Sequence, residues 1–248
     1  MTQTDLALAA RSSTRHLSCL ETGRSQPSRE MIARLAEYLD IPLRDQNTLL
    51  LAAGFAPAFQ ERSLAALEVA KSAIDRLLQA HKPYPAFAVD RHWNVVLSNS
   101  ALPQLYEGCA ADLLRPPVNA VRLILHPAGM GPRIVNFTAW RAHTLSVLRQ
   151  QIETRADPVI QGLFSEVAAY PVPASAEKSE SPEPSQHLVT PLRIATRFGT
   201  MSFLNTVTVF GTANDVTLAE LALEMLFPAD DQTAEIAKNM VHEQLALG

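Results

Sequence analysis

Apolar residues at helical spacing dominate the first sixty positions and predict a series of short helices. Residues 5–10 are rich in alanine and leucine, which favour a helix. Leu17 and Leu20 lie three residues apart and share one face of a second helix. Ser13 has the hydroxyl of an N-cap, and Gly23 suits the left-handed position that closes this helix. The pattern therefore predicts two helices joined by a short turn.

Two further short helices and one longer helix follow. Ser28 is the predicted N-cap of a helix with an inward apolar stripe, and "LRDQNTLLLAAG" forms another helix that ends at its glycine. Short helices that share one apolar face predict a compact bundle. Residues 63–80 predict a longer helix, which ends at the two prolines of "HKPYP". We place the end of an N-terminal domain at residue 62.

The periodicity changes at Ala86. "AFAVD" and "WNVVLSN" are rich in β-branched and aromatic residues and flank a polar turn, which predicts a β-hairpin. The pattern is helical again from 99 to 109. From 116 to 170 it is helical throughout, apart from one loop rich in proline and glycine.

The last third of the chain begins with a polar segment and returns to strands. Residues 171–186 carry too little apolar surface to offset the entropy of ordering, so we predict a mobile loop. Two strands follow, with a turn at 198–199. Residues 221–227 alternate like a third strand, although helical spacing fits them nearly as well. The predicted fold class is α+β, with an all-α bundle over 1–62 and an antiparallel sheet with covering helices over 63–248.

Composition and charge limit the classes of function. The 248 residues carry a net charge of −4, so binding to nucleic acid requires a local basic patch. Cys19 and Cys109 form no CxxC pair, which argues against a disulfide framework and suits a reducing compartment. The N-terminus lacks the pattern of a signal peptide, and the most apolar stretch, "LLLAAGFAPAF", is too short to cross a bilayer. We expect a cytoplasmic protein without a membrane partner.

Motifs of catalysis and metal binding are missing from the sequence. It contains no GxSxG elbow, P-loop, dinucleotide-binding glycine pattern or HExxH. The seven histidines are spread without the spacing of metal ligands. We therefore expect neither enzyme activity nor a metal site.

The segment "SSTRHLSCLETGRSQPS" resembles the helix-turn-helix of XRE/Cro-like regulators. The matching positions are Gln3, Leu6, Ala7 and Ala10 before the turn, and Ser13, Leu17, Ser18, Glu21 and Gly23 in and after the second helix. Regulators of this group have an additional helix ahead of the one that holds Gln3. We therefore expect this bundle to lack its first helix and to leave Leu6, Leu8 and Leu20 partly uncovered.

Further segments resemble the MmyB-like group of regulators over almost the whole chain. They are "LLLAAGFAPAF", "PYPAFAVDRHWNVVLSN", "NAVRLILHPAGM" and "VTVFGTANDVTLAELALEMLFPAD". The resemblance implies a helix-turn-helix domain that binds double-stranded DNA, followed by a PAS-like domain that binds a small, lipid-like ligand. Half-sites on DNA lie about one helical turn apart, so we expect a homodimer.

The helix-turn-helix resemblance also assigns candidate DNA contacts, because the second helix enters the major groove with its N-terminal residues facing the bases. The candidates are Gln3, Ser13, Thr14, Arg15, His16, Ser18, Arg24 and Ser25. Arg15 is suited to a bidentate contact with guanine, and Gln3 lies at a helix start that faces a phosphate. The alternative is a solvated helix with scattered cations.

Seven residues are candidates for ligand contacts. They are Phe87, Trp93, Arg122, His126, Phe203, Val207 and Phe210. Arg122 and His126 lie four residues apart on one helix face, and the planar guanidinium of Arg122 matches a carboxylate. A salt bridge within the protein is the alternative for Arg122. The aromatic and apolar residues line a ligand chamber in the sheet or belong to an ordinary core.

Two functions remain open. The first is a sequence-specific DNA-binding transcription regulator controlled by a small apolar ligand, such as a fatty acid or a similar lipid-like molecule. The second is a ligand-binding or protein-interaction module that has lost DNA binding together with its first helix. Beyond such a ligand, we expect no cofactor.

Overall fold

The computed structural model describes residues 2–174 and 189–247. Most of the segment predicted to be a mobile loop, 171–186, therefore lies outside the described residues.

The described elements form runs of helices separated by one or two strands. The helices are α1 (Gln3–Ala9), α2 (Thr14–Glu21), α3 (Arg29–Tyr38), α4 (Leu43–Ala52), α5 (Glu68–Ala80), α6 (Ala120–Leu125), α7 (Phe137–Arg155), α8 (Pro158–Ala168), α9 (Val216–Ala219) and α10 (Asp231–Leu247). The strands are β1 (Ala86–Val89), β2 (Val95–Ser98), β3 (Leu192–Thr196), β4 (Gly199–Val209) and β5 (Ala222–Pro228). Short 3₁₀ turns are formed by Leu64–Ala66, Leu102–Tyr106, Ala111–Leu114 and Gly131–Arg133.

The chain divides into two units, and the division differs from the predicted boundary at residue 62. Unit 1 consists of Met1–Glu68 together with Phe210–Glu220, and unit 2 consists of Val69–Val209 together with Leu221–Gly248. Unit 1 therefore takes in a segment that the sequence pattern assigns to the C-terminal domain. This segment contains α9 and connects two strands of unit 2, β4 and β5.

Hydrogen bonds explain why the segment Phe210–Glu220 folds with unit 1. The amide of Val216 donates to the carbonyl of Gln60 at 2.9 Å, and the side chain of Val216 is buried. Arg44 on α4 donates to both carboxylate oxygens of Glu220, at 2.7 and 3.0 Å. A bidentate arginine–carboxylate pair fixes orientation as well as distance.

The caps predicted for unit 1 are confirmed. The hydroxyl of Ser13 accepts a hydrogen bond from the amide of His16 at 3.1 Å, and that of Ser28 accepts one from the amide of Met31 at 3.2 Å. Gly23 follows α2 with φ +70°, a conformation that costs glycine little. Both ends of α2 and the start of α3 therefore lie where the sequence pattern placed them.

The long helix predicted over 63–80 consists of two elements. The hydroxyl of Ser63 accepts from the amide of Ala66 at 3.3 Å and caps a 3₁₀ turn. Leu67 then departs from helical geometry, with φ −102° and ψ 53°, and its side chain is buried. Burial of this leucine competes with helical continuity, so α5 begins one residue later.

Unit 2 contains a five-stranded antiparallel sheet in the order β2-β1-β5-β4-β3. The two predicted hairpins are β1–β2 and β3–β4. The segment with ambiguous spacing is a strand, β5, which lies at the centre of the sheet and pairs with β1 and β4. In this register Glu224 lies opposite Phe87 on one side and Val207 on the other. The predicted α+β class is confirmed.

The strand β5 packs against the main hydrophobic core through the face that carries Leu226, and this core includes buried residues of α6, α7 and α8. The next residue, Phe227, points the other way, contacts the ring of His81 with ring centroids 4.5 Å apart, and is 41% exposed. Helix α10, which was not predicted from the sequence, adds Ile236 and Ala237 to the core. A polar side chain on the same face as Leu226 is therefore buried.

Candidate functional site

Helix α2 presents most of the side chains predicted to contact DNA bases. Thr14, Arg15 and Ser18 are exposed, whereas His16 is half-buried. Ser13 is exposed too, but its hydroxyl already accepts from the amide of His16 as the N-cap. The free side chains of this helix thus begin at Thr14.

Three further candidates for DNA contacts surround α2. The side-chain amide of Gln3 donates to a carboxylate oxygen of Glu21 at 2.7 Å, which joins the start of α1 to the end of α2. The backbone amides of Arg24 and Ser25 donate to the carbonyl of Cys19, at 2.8 and 3.2 Å. Arg24 and Ser25 thereby close α2, and the exposed side chain of Arg24 remains available for a phosphate.

Exposed arginines give the surroundings of α2 a local positive charge. Arg11 lies in the turn before the helix, Arg15 on the helix, and Arg24 after it, and all three are exposed. In the described part of the chain, no ion pair involves any of the three. Arg11 was not predicted as a DNA contact, although its position in the turn of the motif placed it next to α2.

Unit 2 contains a partly open cavity of about 110 Å³ between the sheet and the helices α6 and α7. Its walls are formed by Phe87, Trp93, Leu102, Leu105, Tyr106, Ala120, Val121, Leu123, Ile124, Met130, Trp140, His143, Thr144, Val147, Leu192, Asn205, Glu224 and Leu226. Most of these side chains are apolar, and the walls contain neither lysine nor arginine. A concave apolar cavity with few polar groups is typical of small-molecule sites.

Three residues of the wall, Glu224, Asn205 and Trp140, have polar groups with unused hydrogen-bonding capacity; we call them the cavity polar groups. Glu224 is 3% exposed, and Asn205 Nδ2 donates to its carboxylate at 2.6 Å. Burial raises the pKa of Glu224, although the bond from Asn205 opposes this. Within the described residues, Asn205 Oδ1 and Trp140 Nε1 are buried without any hydrogen-bond partner.

Two of the seven predicted ligand residues, Phe87 and Trp93, line the cavity. Trp93 is held in place by a chain of hydrogen bonds. Its Nε1 donates to Gln151 Oε1 at 3.0 Å, and Gln151 Nε2 donates to the carbonyl of Arg91 at 2.8 Å. The indole of Trp93 therefore has its polar requirement met within the protein, in contrast to that of Trp140.

Arg122 takes part in the internal salt bridge that was the alternative to ligand binding. Its Nε and Nη2 donate to the carboxylate of Glu166 at 2.8–2.9 Å, and the hydroxyl of Tyr170 donates to the same carboxylate at 2.5 Å. We call these three residues the surface carboxylate cluster. The bonds from Arg122 hold the pKa of Glu166 below its usual value. None of the three lines the cavity.

The four remaining candidates for ligand contacts also lie away from the cavity walls. His126 accepts from the amide of Ala128 at 2.9 Å and packs against Tyr170. Phe203 is fully buried in the core, Val207 is 56% exposed, and Phe210 belongs to unit 1. The strand β4 has 11 residues, and its later part extends beyond the region that the helices cover, so alternation along β4 does not identify wall residues there.

The cavity polar groups were missed in the sequence. The alternation of 221–227 grouped Leu223 and Met225 on one face and left Glu224 on the other. Glu224 is buried because its face of β5, which also carries Leu226, lies against the helices that cover the sheet. A glutamate between leucine and methionine could have indicated a buried polar group, but whether it is buried depends on the order of the strands in the sheet.

Among the described residues, no group of three or more His, Cys, Asp or Glu side chains is arranged to hold a metal ion. No helix of the described chain combines the length and the apolar character needed to cross a bilayer.

The geometry thus defines a class of protein, in which a helix-turn-helix unit is joined to a domain with an apolar cavity. Comparison with family models agrees. A helix-turn-helix model matches residues 1–46, and the model of the MmyB-like transcription regulator ligand binding domain matches residues 70–239. The chain belongs to this MmyB-like family. The matched domains are those of a ligand-regulated transcription regulator rather than of an enzyme.

Other comparisons add little. Among solved structures, the structure of an RNA-binding light-oxygen-voltage receptor is similar over 98% of this chain and 57% of the other, with 14% sequence identity and a TM-score of 0.30. The chain thus spans little more than half the length of that receptor, and a similarity this weak supports no conclusion. Among curated proteins, none matches.

Proposed function

We propose that this protein is a sequence-specific DNA-binding transcription regulator whose affinity for DNA changes when a small, lipid-like molecule occupies the cavity of unit 2. The observation that carries the proposal is the apolar cavity in a chain that also contains an exposed helix-turn-helix. We further propose that the protein acts as a homodimer, since paired recognition helices match paired half-sites.

DNA recognition is assigned to α2 and the cations around it. Thr14, Arg15 and Ser18 project from the N-terminal half of the helix, where a recognition helix meets base edges. Arg11 and Arg24 are suited to the flanking phosphates, because both are exposed and neither has an ion-pair partner in the described chain. The net charge of −4 leaves this local patch as the surface that attracts DNA.

The ligand is assigned to the cavity on the basis of its walls. Leucine, isoleucine, valine and aromatic side chains surround it, so it favours an apolar body, such as the hydrocarbon part of a lipid-like molecule. The apolar part supplies the binding free energy, at about 25 cal/mol for each Å² of surface removed from water. The polar part then decides which lipid-like molecule is accepted.

The chain itself supplies a route for coupling. Asn205 on β4 and Glu224 on β5 line the cavity, and the connection between these two strands is the segment Phe210–Glu220, which folds with unit 1. Arg44 holds the end of that segment through Glu220. A ligand that favours one spacing of β4 and β5 thereby favours one placement of the segment, and this difference in affinity is what allosteric control requires.

Substitution of the recognition helix tests DNA binding. A duplex is first selected from a random library with the wild-type protein, and its affinity is measured by fluorescence anisotropy over a salt series. We expect Arg15→Ala to weaken binding to this duplex by about fivefold or more, because a good bidentate base contact contributes about 1–3 kcal/mol. Arg115→Ala removes an exposed arginine of unit 2 and should change nothing. Equal affinities for the two variants would contradict the assignment of Arg15 to a base. Selection of no duplex, or an affinity without salt dependence, would support the alternative of a module without DNA binding.

Mass spectrometry of organic extracts from the purified protein tests the ligand. We expect an apolar compound that alters DNA affinity when it is added back to stripped protein. Arg44→Ala should bind the compound as the wild type does but show a smaller effect on DNA. Extracts without such a compound, together with no thermal stabilisation by any twelve-carbon lipid, would contradict the assignment of the cavity.

A further inference from the structure

We propose that the cavity selects a ligand with an uncharged, hydrogen-bonding head group, such as a primary amide or an alcohol, and rejects free carboxylates. This inference rests on the proposed function, because it concerns the ligand of the same cavity. It follows from the cavity polar groups: Glu224, Asn205 and Trp140.

The side-chain oxygen of Asn205 requires a hydrogen-bond donor from the ligand. Asn205 Nδ2 donates to the carboxylate of Glu224 at 2.6 Å, which turns Oδ1 away from Glu224. In the described structure this Oδ1 is buried and has no donor. Buried acceptors without a donor are rare in folded proteins and destabilise them. A ligand that carries an N–H or O–H group meets this requirement.

The indole N–H of Trp140 requires a hydrogen-bond acceptor from the ligand. Trp140 is 6% exposed, lines the cavity, and its Nε1 has no acceptor among the described residues. An indole N–H can only donate. A primary amide supplies both a donor and a carbonyl acceptor, and an alcohol oxygen also combines the two roles. An alkane or a simple terpene supplies neither.

Charge decides against the other head groups. A carboxylate entering the cavity meets Glu224 and finds no lysine or arginine in the walls, and Arg122 is already bound to Glu166 outside. Whichever protonation state Glu224 holds, no lysine or arginine of the walls offsets the desolvation of an ionised carboxylate ligand. The basic residue of the walls is His143, which is exposed. An alkylammonium needs an ionised Glu224 as its partner, and burial opposes that ionisation. An uncharged head group avoids both penalties.

A series with one chain length tests the inference. Dodecanamide, dodecan-1-ol, dodecylamine and dodecanoate are titrated into the full-length protein at pH 7.5, below their micelle concentrations, by isothermal calorimetry. We expect the amide to bind at least tenfold more tightly than either charged compound. If dodecanoate or dodecylamine binds as tightly as the amide, the inference is wrong, although the cavity still binds lipid-like ligands. Binding of none of the four contradicts the proposed function itself.

A conservative substitution distinguishes recognition by Glu224 from a structural role. Glu224→Gln keeps the size of the side chain and removes its acidic group. We expect the ratio of amide affinity to carboxylate affinity to fall at least fivefold, mainly through tighter binding of dodecanoate. Glu153→Gln, an exposed change on α7, should leave this ratio unaltered. Parallel changes in both affinities for Glu224→Gln would show that the residue only supports the wall, and would overturn its assigned role.

Discussion

Two glutamates of unit 2, Glu166 and Glu224, lie in opposite surroundings. Glu166 in the surface carboxylate cluster accepts hydrogen bonds from Arg122 and Tyr170, and these partners are near the solvent. Glu224 lies in the cavity, with one bond from Asn205. The pKa is lowered for Glu166 by the bonds from Arg122 and raised for Glu224 by burial.

The difference in hydrogen-bond partners distinguishes a polar cluster that stabilises the fold from one that is available to a ligand. The surface carboxylate cluster satisfies its own hydrogen bonds, so it joins α6 to α8 and has little left to offer a ligand. The cavity polar groups leave a buried acceptor and a buried donor unpaired among the described residues. Residue type favoured Arg122 as the ligand contact, whereas counting of hydrogen-bond partners favours Glu224.

Filling the cavity is the change with the largest expected effect. Val147 lines the cavity from α7, and Val147→Trp places an indole in the space that a ligand needs. We expect dodecanamide to bind at least tenfold more weakly, by calorimetry, with overpacking costing about 1–3 kcal/mol of stability. Val159→Trp on α8 is the matched control, because Val159 is 53% exposed and lies outside the walls. Unchanged affinity for Val147→Trp would place the ligand elsewhere.

The pH dependence of unfolding contrasts the two glutamates directly. A carboxylate with a lowered pKa stabilises the fold above its unfolded value and loses this contribution as pH falls through the folded pKa. Glu166→Gln should therefore be less stable than wild type at pH 7, by under about 1 kcal/mol because the pair is screened by solvent. The deficit should vanish as the pH falls below 4.5, the ordinary pKa of a glutamate, and through the lower folded pKa of Glu166.

Glu224 has the opposite sign. Its folded pKa is raised, so the wild type loses stability as pH rises above 4.5 and through the folded pKa. Glu224→Gln does not titrate and should gain stability relative to wild type over that interval. Urea unfolding at pH 2.5, 4, 5.5, 7 and 8.5 measures both variants. If the free energy of unfolding changes with pH in the same way for the two variants, the distinction between the two clusters is wrong.

The sequence predicted local elements better than the cavity. Caps at Ser13 and Ser28 depend on a few neighbouring residues, and both are where the pattern placed them. The hairpins also follow from local alternation. The burial of Glu224 depends on the position of β5 between β1 and β4, which pairing across long separations decides. Alternation within one strand does not reveal which of its faces is covered.

The domain boundary shows the same limit. The segment Phe210–Glu220 is surrounded in sequence by strands of unit 2, yet it folds with unit 1. The ion pair that fixes it joins Arg44 to Glu220, two residues far apart in the chain. Arg122 was ambiguous for a related reason, since the residue type fits a ligand carboxylate and the carboxylate of Glu166 equally well.

Removal of single hydroxyls is the subtlest contrast between the two clusters. Tyr170 donates to Glu166 at 2.5 Å, whereas the hydroxyl of Tyr106, in the cavity wall, has no hydrogen bond within the described structure. Replacement by phenylalanine removes one oxygen and keeps the ring in both cases. Tyr170→Phe should lower the free energy of unfolding by about 0.5–1.5 kcal/mol, the contribution of a satisfied hydrogen bond. Tyr106→Phe should change it by less than about 0.5 kcal/mol.

Urea unfolding of the ligand-free protein at pH 7 measures both variants, with equal m-values as the condition for comparing them. Calorimetry with dodecanamide should reverse the ranking of the two variants. Tyr170→Phe should leave the affinity unchanged, because Tyr170 lies outside the walls. Tyr106→Phe should change the affinity, because Tyr106 lies within them. Equal losses of stability in the two variants would mean that the Tyr106 hydroxyl is satisfied in solution. The cavity would then hold fewer unpaired groups than its geometry indicates, and the contrast between a complete cluster and an incomplete one would rest on Glu224, Asn205 and Trp140 alone.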